Sequence, residues 1–288
     1  MTDKSKEEHN MTVQEYRDIG KRLEELLKLR SHLVAIKWLE KEADIPEGAT
    51  VPTRDMNRHM ALCQAFTYAR MKGKTIAMTV RDHWCWNPLI GYGLVECLPG
   101  QPQFDEVCTY IGIPDRKKAE EFFAQFPRLP LGQYEAVLIA PLTECSFEPD
   151  VITLYGTPFQ INYLCRCIKS VLGGSFTSVF DGIDSCIYCT VPTFREKVFR
   201  VTLPDPGEVE RAHTRDEEVI LSIPPEKLPA LVQAVERLSS FMPCNDQLLE
   251  ISLDFPRPPF YNKLFALWGL EQGEEWALGD SGKLRESK

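Results

Sequence analysis

From Tyr134 to Ala140 the chain is almost continuously apolar and then meets Pro141. A run of that length suits a strand buried on both faces, which calls for packed layers rather than a free-standing ribbon. Shorter apolar segments at Leu33–Leu39, Thr75–Val80, Val151–Tyr155 and Glu218–Ile223 have the same strand-like character. Between them lie segments with three- and four-residue periodicity. Val13, Tyr16, Ile19, Leu23, Leu26 and Leu27 predict a helix over residues 12–30, and Leu228, Leu231, Val232, Val235 and Leu238 predict another. Leu62, Phe66 and Ala69 place a helix over Asn57–Lys72 stopped by Gly73, and Lys117–Phe126 reads as a short one. The expected fold class is therefore α/β or α+β, a mixed central sheet flanked by amphipathic helices.

The best-marked element is Thr157-Pro158-Phe159-Gln160. Thr157 and Gln160 form a capping box, and Pro158 fits the first helical position, where no amide donor is needed. Leu164, Cys167, Ile168 and Val171 make the inner stripe, and Gly173-Gly174 closes the helix near Leu172. Arg81 to Leu98, rich in aromatics and glycine, reads as an irregular functional loop. Residues 1–10 are expected to be disordered, 11–245 to form a single domain with a cysteine-lined site, and 246–288 to be a Pro-rich and polar appendage. No internal repeat is present.

A formal net charge of −9 argues against a nucleic-acid-wrapping surface, which needs a concentrated basic face. Lys197, Arg200, Arg211 and Arg215 are the densest basic group and read as a solvated strand or loop face. The first ten residues lack the apolar stretch of a secretory signal, and no run approaches the ~18 apolar residues of a spanning helix. The expectation is a cytoplasmic protein with no membrane partner.

In a reducing compartment ten cysteines divide into small buried hydrophobes and metal-binding or redox residues. Cys97, Cys108, Cys145 and Cys244 stand singly in apolar or turn sequence, and Cys165 and Cys167 point to different sides of one helix. That leaves Cys63, Cys85, Cys186 and Cys189. Cys186-Ile187-Tyr188-Cys189 is a CxxC, a spacing at which two thiolates share a metal or form a redox pair, or in which two core thiols simply coincide. Cys63 falls early in its helix, where the positive helix end favours thiolate. Cys85 lies between Trp84 and Trp86, whose bulk could exclude water from a cluster or could be ordinary core. Of the histidines, His83 merits interest for its place two residues before Cys85.

No Walker loop, dinucleotide fingerprint, nucleophile elbow or zincin motif occurs. Val34-Ala35-Ile36-Lys37 matches a kinase string, but the glycine-rich loop and catalytic loop that would accompany it are missing. No acid–base pair stands out; Glu148 and Asp150 flank a proline and suit a turn equally well.

Several of these segments together resemble the family called domain of unknown function 169. They are Cys63 in Cys-x-x-Phe, Cys85 before a glycine-containing stretch, Phe147-Glu148-Pro149-Asp150-Val151, Gly156-Thr157-Pro158-Phe159-Gln160, Cys186, and Arg211 to Ile223 with Asp216-Glu217-Glu218. The resemblance covers roughly residues 20–240. It implies an intracellular protein type of anaerobic bacteria and archaea, with Cys63, Cys85 and Cys186 as distinctive positions and Cys189 outside the pattern. It supplies no reaction.

Three thiolates from separate segments suit a 4Fe-4S iron–sulfur cluster with one open iron, and catalytic zinc with three protein ligands and a water is the rival. The expected function is an oxygen-sensitive iron–sulfur enzyme of oxidoreductase or lyase type acting on a small anionic substrate. Arg211 and the amides at the Thr157 helix start would bind that substrate. An electron-transfer protein and a second copy of the chain are the partners considered. The alternative is a non-catalytic metal-binding or redox-sensing protein with structural zinc or a cluster.

Overall fold

The computed structural model describes residues 11–239, and these lie within one compact unit, Met1–Met242. The expectations for residues 1–10 and 246–288, and for Cys244, concern positions outside the described residues.

In chain order the elements are α1 (Val13–Leu27), β1 (Val34–Leu39), α2 (Pro52–Met56), α3 (Leu62–Lys72), β2 (Ile76–Thr79), α4 (Trp86–Gly91), α5 (Pro102–Tyr110) and α6 (Arg116–Gln125). They continue with β3 (Ala136–Pro141), β4 (Val151–Gly156), α7 (Pro158–Leu172), α8 (Ser185–Tyr188), α9 (Val191–Glu196) and β5 (Arg200–Thr202). The last are α10 (Pro206–Ala212), β6 (Val219–Ile223) and α11 (Leu228–Arg237). The strands form one sheet in the order β2-β3-β1-β4-β6-β5, with every neighbouring pair antiparallel. The expected central sheet with flanking helices is present, and its strand directions place it in the α+β class.

Both faces of the sheet are covered, which accounts for strands such as β3 being buried at every position. Alternation along β1 sends Ala35 and Leu39 to one face and Val34, Ile36 and Trp38 to the other. The first face packs on α1, α7 and α11 through residues such as Leu23, Leu164, Ile168 and Leu231. The second packs on α3, α4, α5, α6, α8 and α9 through Phe66, Ile90, Phe104, Phe123, Ile187 and Val191. The candidate cysteines lie on this second side.

Local signals place most helix ends. Gln160 N–H donates to Thr157 Oγ1 at 3.3 Å, Thr157 N–H donates to Gln160 Oε1 at 2.8 Å, and Gly173 takes a φ of 71° to close α7. Helix α3 starts at Leu62, later than the expected Asn57. Residues Pro52–Met56 form a separate helix, and Met60 is held in an extended bridge to His83 before Ala61 N–H caps onto Gln64 Oε1 at 2.9 Å. The loop expected over Arg81–Leu98 contains α4, begun by Cys85 as its cap.

One buried ion pair ties the second helical layer to the start of β6. Arg70 of α3 grips Glu218, just before β6, in a two-bond fork at 2.7 and 3.1 Å, and lies 4.1 Å above the Tyr155 ring. Arg70 is 2% exposed, so removing it strands a carboxylate in the interior. We expect Arg70→Met to lower unfolding free energy by about 3–5 kcal/mol in chemical denaturation. A loss under about 1 kcal/mol would show that the pair is dispensable.

Candidate functional site

The approach of Cys63 to Cys85 begins with Asp82. This fully buried carboxylate accepts hydrogen bonds from Thr53 N–H and Oγ1 at 2.8 and 2.6 Å and from Thr79 N–H and Oγ1 at 2.8 and 2.7 Å. It thereby locks the turn after β2 onto the start of α2. The Asp82 carbonyl then accepts from Met60 N–H at 2.8 Å, and Trp84 N–H donates to the Met60 carbonyl at 3.0 Å. Two chain segments run side by side as a result, so Cys63 in the first turn of α3 and Cys85 at the cap of α4 become neighbours. Cys85 packs against Cys63, Ala61 and Ala212, close to the Leu62 amide.

Helix α10 links this pair to Cys186. On one side the Cys63 thiol faces the Gly207 carbonyl at 3.9 Å, Gln64 donates to the Arg211 carbonyl at 3.3 Å, and Thr67 donates to the Ala212 carbonyl at 2.9 Å. On the other, Asp205 caps α10 through Glu208 N–H at 2.9 Å and accepts from Ser185 N–H and Oγ at 3.1 and 2.9 Å. Ser185 opens α8, so its neighbour Cys186 is carried toward the other two thiols. Asn87 of α4 donates to Asp184, which closes the ring of contacts.

These groups are mutually unfavourable as anions. Burial pushes the Cys186 thiol well up, and Asp205, Cys63, Cys189 and Cys85 push it further. Burial also raises Cys63, reinforced by Glu208 and Cys85, so the expectation that its helix end favours thiolate is outweighed by desolvation. At Cys85 burial again raises the thiol, with Arg211 opposing. Glu208, 1% exposed and accepting from Ser185 Oγ at 3.0 Å and Tyr155 Oη at 3.3 Å, is pushed up to about 7 by burial and by Asp205. Asp184 is raised to about 7, chiefly by burial.

Cys63, Cys85 and Cys186 are thus brought within electrostatic reach of one another, with Arg211 beside the first two. Among the described residues, no three His, Cys, Asp or Glu side chains are disposed to hold a single metal ion. Cys189 is fully buried against the sheet beside Ser222, its thiol 3.5 Å from the Cys186 carbonyl. Thr157 is not brought to the thiols: its hydroxyl is engaged in its own capping box, and α7 packs on the opposite face. His83 is buried with neither ring nitrogen hydrogen-bonded, and burial lowers its pKa to about 4, which keeps the ring neutral. Arg200 and Arg215 are paired with Glu196 and Glu217, so the basic residues near Arg211 form no common face.

Asp184, Ser185, Asp205 and Glu208 were not legible as site residues. Asp205-Pro206-Gly207-Glu208 does carry a helix-start signature, an acidic cap with proline at the first position, that could have located α10.

The family described as Uncharacterised ArCR, domain of unknown function 169, matches residues 22–234. The chain belongs to this family. The match to domain of unknown function 169 spans every element from α3 to α10 that builds the thiol site. An uncharacterized protein of Methanocaldococcus jannaschii is 30% identical over 239 residues, covering 81% of this chain and 99% of the relative. No solved structure matches the chain. No helix among the described residues is long and apolar enough to cross a membrane.

The Asp82 anchor has a definite pH signature. Burial works to raise its pKa, but the four bonds from Thr53 and Thr79 prevail and hold it below the ordinary 3.8. A carboxyl depressed on folding contributes stability that is present above its unfolded pKa and lost as pH falls through the folded one. We expect Asp82→Asn to cost about 1–3 kcal/mol at pH 7, with the gap to wild type narrowing below about pH 4, measured by urea denaturation. An equal gap at pH 7 and pH 3 would contradict the assignment.

Proposed function

We propose that this member of the family is a metal-binding protein in which Cys63, Cys85 and Cys186 hold an oxygen-sensitive 4Fe-4S cluster for enzymatic work on a small anionic substrate. The observation that carries this reading is the gathering of three thiols from segments 22 and 101 residues apart, Cys85 packed on Cys63 and Cys186 tied to the same helix α10 through Ser185 and Asp205. Neutral thiols pack as small hydrophobes, but the carboxylates of Asp205 and Glu208 beside them have no place in an apolar cluster, and a bound cation would favour both the carboxylates and the deprotonated thiols.

Donor chemistry favours a cluster over a single zinc. The donors are three thiols, the ligand type that holds iron–sulfur clusters, whereas tetrahedral zinc would draw its sulfurs to ~2.3 Å of one ion. In a four-iron cluster each cysteine binds a different iron, so the sulfurs stand further apart. Cys189, turned to the sheet beside Ser222, would leave the fourth iron without a cysteine and open to a small ligand. When bound, the cluster would supply electron transfer or Lewis acidity, with an electron-transfer protein as the partner for the former. Arg211, next to Cys85 and Cys63, would meet the substrate's negative charge.

A second reading follows from the packing of Cys85 on Cys63. Two adjacent thiols are the elements of a redox sensor, which would hold no iron and would respond to oxidation by pairing.

Anaerobic purification followed by iron, zinc and acid-labile sulfide analysis and a visible spectrum separates the two. The enzyme reading expects iron with matching sulfide and visible absorption. Cys63→Ser, Cys85→Ser and Cys186→Ser are each expected to lose most of the iron, while Cys108→Ser in the α5 core keeps it. Metal-free protein with an oxidisable Cys63–Cys85 pair would overturn the cluster in favour of the sensor.

A further inference from the structure

We infer that Trp84, Arg211 and Tyr110 form a carboxylate-binding fork over the thiol site, so that the small anion of the proposed function is a carboxylic acid. This deepens that reading and rests on it only in taking the site to act on a substrate.

Arg211 is held from three directions. Its guanidinium carbon lies 4.9 Å from the centroid of the Trp84 ring, the Tyr110 hydroxyl lies beside it, and its Nη1 occupies the space over Gly207. A Cβ at Gly207 would collide with that nitrogen, so the glycine keeps the place for the guanidinium. The Gly207 carbonyl in turn faces the Cys63 thiol, and the guanidinium is within charge reach of Cys85 and Cys63.

The holding groups leave the charge uncompensated. Among the described residues no carboxylate forms an ion pair with Arg211; Arg17, Arg128 and Arg195 likewise have none but donate to main-chain carbonyls, whereas the side chains beside Arg211 are the Trp84 ring, Tyr110 and the thiols. Trp84 and Tyr110 are 61% and 67% exposed and Arg211 is half-buried between them, so a ligand can reach the guanidinium from solvent. A guanidinium held against an aromatic face directs its N–H donors in its own plane, and two such coplanar donors match the two oxygens of a carboxylate in a bidentate pair. Trp84 and Tyr110 are positioning residues in this arrangement, and Arg211 is the group that touches the ligand.

The full-length protein, purified anaerobically, is titrated calorimetrically with propionate and in parallel with propionamide, its neutral isostere, at constant ionic strength. Propionate is expected to bind saturably and propionamide not. Arg211→Gln should weaken propionate binding roughly 10- to 100-fold. Arg211→Lys, which keeps the charge without the fork, should fall between and serves if the glutamine variant fails to fold. Trp84→Ala should weaken binding and Trp84→Phe restore it, while the propionate-dependent change in tryptophan fluorescence disappears in both. Equal binding of the two probes, wild-type affinity in Arg211→Gln, or binding of inorganic phosphate without propionate overturns the inference. Iron measured on the same samples keeps the two readings apart. Normal iron without propionate binding removes the fork alone, and propionate binding in an iron-free protein removes the cluster alone.

Discussion

The Asp82 carboxylate, out of reach of water and holding four donors from Thr53 and Thr79, is the constraint on which the site geometry depends. A buried carboxylate is costly unless its hydrogen bonds are complete, so the four donors must stay in place together. Their fixed arrangement dictates where the chain goes after β2. It brings His83 opposite Met60, and this pairing sets Cys85 beside Cys63 across two segments that would otherwise drift independently. Without it, neither the cap of α4 nor the first turn of α3 has a reason to face the other.

The second half of the site is assembled by α10, a helix of two turns with partners on both flanks. Its acidic residues serve Ser185 and its carbonyls serve Gln64 and Thr67, so Cys186 and Cys63 are indexed to the same short helix. The result is an interior rich in groups that ionise to anions, relieved on one flank by Arg70 and on the other by Arg211. Arg70 is spent on Glu218, whereas among the described residues no carboxylate forms an ion pair with Arg211. Such an excess of buried acid is a cost to folding, and sites that persist at a cost are where ligands act.

The double burial of Tyr134–Ala140 announced a sheet covered on both sides, and Thr157 with Gly173 marked α7 at both ends, because apolar runs and caps are local signals. Strand direction was not legible, since burial on both faces suits parallel and antiparallel neighbours alike. Helix α10 carries the same cap-then-proline grammar as α7, yet Gly207 and its brevity obscured it. The thiols were legible as candidates but not as a set. Cys189 stands as near to Cys186 in sequence as a ligand pair requires and turns to the sheet instead, whereas Thr157 has the right chemistry for an anion and sits on the far face. Which groups converge is decided by long-range contacts such as Met60 with His83, and spacing along the chain carries no record of them.

The central claim is that three thiols converge to hold one cluster. X-ray absorption at the iron edge, recorded on anaerobically purified protein, tests it most directly. Cys63, Cys85 and Cys186 around one cluster give a shell dominated by sulfur, with a light-atom ligand on the open iron alone and iron–iron scattering behind it. Iron bound by nitrogen and oxygen alone, or a protein that carries no iron, would contradict it.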